Sequence, residues 1–100
     1  VRTHLVLQLA YAEQLWGRPD EAAQWLDRLS GSARSPMLQK YEASIRADIA
    51  IGRRDEPGMV KAHATLARLL DEYPDAADEE LLVQRDVVAA HIALYRDELE

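Results

Sequence analysis

The sequence predicts an all-α fold, a right-handed stack of antiparallel helical hairpins with about five helices. Three observations carry this. Apolar residues recur three and four positions apart through most of the chain, the spacing of a helix face. Glycines and prolines, four of each, fall between the periodic segments. Finally, the pattern repeats: Ala22, Leu26 and Leu29 return 40 residues later as Ala62, Leu66 and Leu69, and Leu5 and Leu9 return as Ile45 and Ile49. Residues returning at a fixed period of this size mean stacked copies of one supersecondary unit. No strand-like alternation and no domain-dividing linker interrupts the pattern, so residues 1–100 read as one repeat domain.

The first helix is expected from Thr3 to Trp16, with Leu5, Leu9, Ala12 and Trp16 on its core face. Gly17 supplies a left-handed stop. Pro19 suits the first turn of a second helix, where Asp20 and Glu21 oppose its positive end. Ala22, Trp25, Leu26 and Leu29 form its apolar stripe, and Ser30, Gly31 and Ser32 break it. Both tryptophans fit the core of this hairpin.

Ser35 and Pro36 restart the pattern as an N-cap and a first-turn proline. Leu38, Tyr41, Ile45 and Ile49 make the third stripe, which Gly52 should end. Arg53 to Glu56 reads as a charged turn, and Pro57 opens a fourth helix whose buried side takes Val60, His63, Leu66, Leu69 and Leu70. It stops at Tyr73, because a proline at 74 disfavours helix in the residue before it. Asp75 or Asp78 caps the fifth helix, with a stripe of Leu81, Val88, Ile92, Tyr95 and Leu99. Here Leu38, Ile45 and Ile49 return as Leu81, Val88 and Ile92 with a shift of 43, the extra residues lying in a longer loop at 75–78.

Composition removes several classes of function. Cysteine is absent, so neither a disulfide framework nor a thiolate metal site can form. This fits the cytoplasm and is compatible with the periplasm. No apolar run approaches the ~20 residues of a membrane span. The net charge is −6, and ten of the eighteen acidic residues lie in residues 71–100, against two basic ones. A phosphate backbone needs a basic surface, so direct nucleic-acid binding is disfavoured. His4, His63 and His91 do not pair at metal-ligand spacing, and His63 on its apolar stripe reads as a core residue. No phosphate loop, GxSxG or HExxH occurs. The chain is therefore expected to be no enzyme and to need neither cofactor nor metal.

The stretch LAYAEQLWGRPDEAAQWLDRL resembles a tetratricopeptide repeat. Leu9 and Ala10 resemble that family's leucine and small residue on the first helix, Gly17 its inter-helix glycine, and Ala22, Leu26 and Leu29 its second-helix positions. Ala62, Leu66, Leu69 and the closing Pro74 match the second-helix pattern again. The departures are a period of 40 instead of 34, Glu13 or a shifted Tyr11 where a late tyrosine is expected, and Pro57 and Gly58 in place of a turn glycine. A period near 40 is similar to the longer repeats in the sensor domain of MalT-like bacterial transcription activators, and it touches the lower end of HEAT repeats.

The resemblance implies a non-catalytic scaffold that binds a protein or peptide partner in a concave groove. The alternative it implies is a ligand-sensing, regulatory segment of a MalT-like multidomain regulator. In such stacks the first helix of each hairpin lines the groove. Matching the repeats sets Gln8 beside Asp48 and His91, and Tyr11 beside Ile51 and Leu94, with His4, Ser44 and Val87 in a neighbouring row. The chain starts at Val1 rather than methionine and reads as a piece of a larger protein. Its first and fifth helices are apolar on more than one side, so flanking repeats, or self-association through these terminal helices, are expected to cover them.

Overall fold

The computed structural model describes residues 3–29 and 35–99. Five α-helices follow one another: α1 Thr3–Leu15, α2 Pro19–Asp27, α3 Pro36–Arg53, α4 Glu56–Glu72 and α5 Glu79–Leu99, with a 3₁₀ turn at Ala76–Asp78 before α5. No strand occurs among the described residues. The break at Ser30, Gly31 and Ser32, and the side chains of His4 and Leu99, lie outside the described residues.

Local chemistry sets most of these ends. Gly17 takes a positive φ of 77°. Its N–H donates to the Gln14 carbonyl at 3.1 Å and the Arg18 N–H to that of Glu13 at 2.8 Å, the paired bonds that close a helix C-terminus. Ser35 Oγ accepts from the Leu38 N–H at 3.3 Å, and the Asp55 carboxylate accepts from the Gly58 N–H at 3.1 Å. Pro36 and Pro57 sit in the first turns, where a missing N–H costs nothing. Both candidate caps before α5 act together. Asp75 accepts from the Ala77 N–H at 2.8 Å, and Asp78 accepts from the Asp75 N–H at 2.9 Å.

Each helix packs on its sequence neighbours. In addition α1 contacts α3, and α3 contacts α5. The central element is α3, and it uses its faces differently. Ile45 and Ile49 join Leu7, Ala10, Ala22, Leu26 and Leu29 in one apolar cluster. Ala43 packs with Leu66, Leu69, Leu70 and Leu81, and Ala47 and Ala50 pack with Met59, Ala62 and Val88. Large side chains therefore face α1 and α2, and small ones let α4 and α5 come close. Ala22, Leu26 and Leu29, and Ala62, Leu66 and Leu69, are all buried.

Five expectations need correction. Tyr41, expected on the apolar stripe of α3, is 50% exposed. The core face of α1 is not Leu5, Leu9, Ala12 and Trp16. Leu5 and Leu9 are 45% and 43% exposed, Trp16 is 80% exposed, and Leu7 and Ala10 are buried instead. A helix apolar on every side offers several equivalent stripes, and the partner helices select one. Gly52 does not end α3. It lies inside the helix, and Arg54 adopts the left-handed conformation at φ 53°, with the Asp55 N–H closing onto the Ala50 carbonyl at 2.9 Å. The turn between α3 and α4 shrinks accordingly to Arg54 and Asp55. Val60 is exposed, and Met59 takes its place in the core of α4.

Candidate functional site

Helices α1, α3 and α5 converge on a cleft of about 500 Å³. From α1 it takes Leu7, Gln8 and Tyr11, three positions within one turn. From α3 it takes Leu38, Tyr41, Ser44, Ile45 and Asp48, spaced three and four apart. From α5 it takes Glu80, Leu81 and Gln84. The floor is apolar, since Leu7, Ile45 and Leu81 are buried core residues. Tyr11 and Tyr41 are about half exposed, at 48% and 50%, so aromatic area remains open to solvent.

Polar groups sit among this apolar area. Gln84 Nε2 donates to Asp48 Oδ1 at 2.6 Å, tying α5 to α3. Burial pushes the Asp48 carboxyl above its ordinary value of 3.8, against the opposing pull of the Gln84 hydrogen bond and of nearby His91. Glu80 supplies a second carboxylate. No lysine, arginine or histidine lines the cleft among the described residues.

The structure thus brings Gln8, Tyr11 and Asp48 to one cleft, together with Ser44 from the neighbouring row. It does not bring Ile51, His91 or Leu94 there. The cause is register. Asp48 meets Gln84 across the α3–α5 contact rather than His91, two helical turns earlier along α5 than the repeat match implies. His91 still acts on Asp48 through charge, from outside the lining. His63 is half-buried on α4.

A second cleft of about 580 Å³ lies between α2, α3 and α4. Several of its basic groups are already engaged. Arg46 pairs with Glu42 at 2.9 Å, Arg53 with Asp20, and Arg68 with Glu72 at 3.2 Å. Among the described residues no group of three or more His, Cys, Asp or Glu could hold a metal ion, and no helix is long and apolar enough to cross a membrane.

Sequence reasoning also missed a buried ion pair. Lys40 is 1% exposed. Its ammonium pairs with Asp78 Oδ2 at 2.8 Å and donates to the Tyr73 carbonyl. It thereby fastens α3 to the connection between α4 and α5. The signal was available, because Lys40 extends the small-residue face Ala43, Ala47 and Ala50 at helical spacing. A lysine at the head of a buried stripe requires a partner carboxylate.

Comparison with known proteins adds no relative: no family model matches the chain, and neither the curated proteins nor the solved structures yield a match.

Proposed function

We propose that this chain is a non-catalytic interaction scaffold of tetratricopeptide-like repeats, which binds a protein or peptide partner in the cleft between α1, α3 and α5. In this reading α1 with α2, and α3 with α4, are two stacked hairpins, and α5 is the first helix of a third. The pairwise contacts support it, since each first helix touches its own second helix and the next first helix, and each second helix touches the next first helix.

One observation carries the functional reading. The cleft joins a buried apolar floor to two half-exposed tyrosines and convergent polar groups, the mixture that anchors a ligand and orients it. Its volume also lies within the range of small-molecule sites, which favours a ligand-sensing role as the second reading. Selection of binders from a random peptide library, followed by chemical-shift mapping on the labelled protein, tests the proposal. Shifts centred on Leu7, Tyr41, Ser44 and Leu81 are expected. Binders that shift only the second cleft or the acidic surface of α5 would move the site away from this cleft. Shifts at the same residues from a small-molecule library, with none from peptides, would favour the sensing role.

A further inference from the structure

The cleft has a charge preference. We propose that its occupant is a cationic amphipathic peptide segment, one that places a large apolar side chain on the Leu7, Leu38, Ile45 and Leu81 floor and a lysine or arginine against Asp48 and Glu80. The inference rests on the α1–α3–α5 cleft being the binding site, and it adds the chemistry of the partner.

Three features of the lining lead there. Among the described residues its only charged groups are the carboxylates of Asp48 and Glu80. Asp48 is half-buried, its direct hydrogen-bond donor is the neutral amide of Gln84, and the nearest opposing charge, His91, lies outside the lining. A ligand cation would supply the opposite charge that the lining lacks, and an acidic ligand would meet like charge in a partly desolvated space. The two exposed tyrosine rings favour the same ligand, because an ammonium or guanidinium group is attracted to an aromatic face. The surroundings add to this, since α5 opens with Glu79 and Glu80 and the 71–100 segment carries ten acidic residues against two basic ones. That field would raise the encounter rate with a basic segment. The second cleft lacks this complementarity, because Arg46, Arg53 and Arg68 already face carboxylates of the chain itself.

The test uses three synthetic peptides with one shared leucine pattern and lysine, glutamine or glutamate at the polar positions. Binding to the full chain is read by fluorescence anisotropy, and its location by chemical-shift mapping. The lysine peptide is expected to bind about tenfold or more tighter than the glutamine peptide, with the glutamate peptide weakest. Asp48→Asn and Glu80→Gln should each weaken the lysine peptide about three- to tenfold and narrow its advantage over the glutamine peptide. Asp71→Asn, which removes an acid outside the cleft, is the control and should change little. If all three peptides shift the cleft residues with equal affinity, the cleft is a binding site without charge preference, and this inference falls alone. If Asp71→Asn weakens binding as much as Asp48→Asn, the attraction is diffuse and the inference also falls. If none of the peptides shifts the cleft residues, the cleft reading falls with it.

Discussion

At the scale of single residues, two carboxylates experience opposite environments. Asp78 is buried against Lys40, and removing one member of such a pair leaves the other charge unmatched inside the protein. Lys40→Met should therefore cost about 3–5 kcal/mol of stability. Adding Asp78→Asn, which retains an acceptor for the Asp75 N–H, should recover much of that loss. Urea denaturation of the single and double variants measures both, and a double variant as unstable as Lys40→Met would show that the pair is not the cause. Asp48, by contrast, is a half-buried carboxyl whose charged form burial disfavours. Its carboxyl is raised above 3.8, so the folded chain binds that proton more tightly than the unfolded chain does. The stability contributed by the group falls as pH rises from 3.8 through the raised value, and stays low above it. Asp48→Asn keeps an acceptor for Gln84 and removes the charge. It should raise Tm at neutral pH and flatten the profile across the acidic range. Thermal melts from about pH 4 to pH 7 provide the check.

At the scale of elements, the two helix ends flanking the α3–α4 turn depart from the usual residue preferences. Arg54 sits in the left-handed region, which costs a side chain with a Cβ roughly 1 kcal/mol or more. Arg54→Gly should stabilise the chain by up to about 1 kcal/mol, less whatever the Arg54 guanidinium contributes 5.6 Å from the Tyr95 ring. Gly58 behaves in the reverse sense. A helical Gly→Ala change normally gains about 1 kcal/mol, but a Cβ here would collide with the capping Asp55 carboxylate and stand 3.2 Å from the Ala50 Cβ. Gly58→Ala should instead cost about 1–2 kcal/mol by spoiling the cap and pushing α4 off α3. A gain on that substitution would contradict the close approach.

These same elements show what the sequence could and could not reveal. Caps and stops at Gly17, Ser35, Pro36, Pro57 and Asp75 were legible, because each depends on a few adjacent residues. Leu26, Leu29, Leu66 and Leu69 were legible because α2 and α4 each carry a single dominant stripe. The burial of Leu7 instead of Leu5 was not, because α1 is apolar on every side and a distant helix chooses its inner face. The cleft was half legible for a related reason. Gln8, Tyr11, Ser44 and Asp48 follow from the faces of α1 and α3, whereas Gln84 and Glu80 depend on where α5 crosses α3, and no local residue encodes that crossing.

At the scale of the whole molecule, α3 contributes to all three apolar clusters, and α1 and α2 contribute to only one. Helices α1 and α2 are also the shortest, at 13 and 9 residues, and short helices depend on packing for their stability. The chain should therefore open unevenly. Amide hydrogens of α1 and α2 are expected to exchange before those of α3 and α4, with Leu26→Ala speeding the first group far more than the second. Exchange rates that fall together in all four helices would mean one indivisible unit.

The buried link between Lys40 and Asp78 leaves a mark that can be read without any measurement on this chain. Each of the two is harmful when the other is missing, so neither can drift independently through related genes. In an alignment of relatives, positions 40 and 78 should change hands together, to another ion pair, to its reverse, or to two apolar residues of similar volume. Because 38 positions separate them in the chain, such paired replacement would identify distant members that keep this junction of α3 with the α4–α5 turn after the rest of the sequence has diverged.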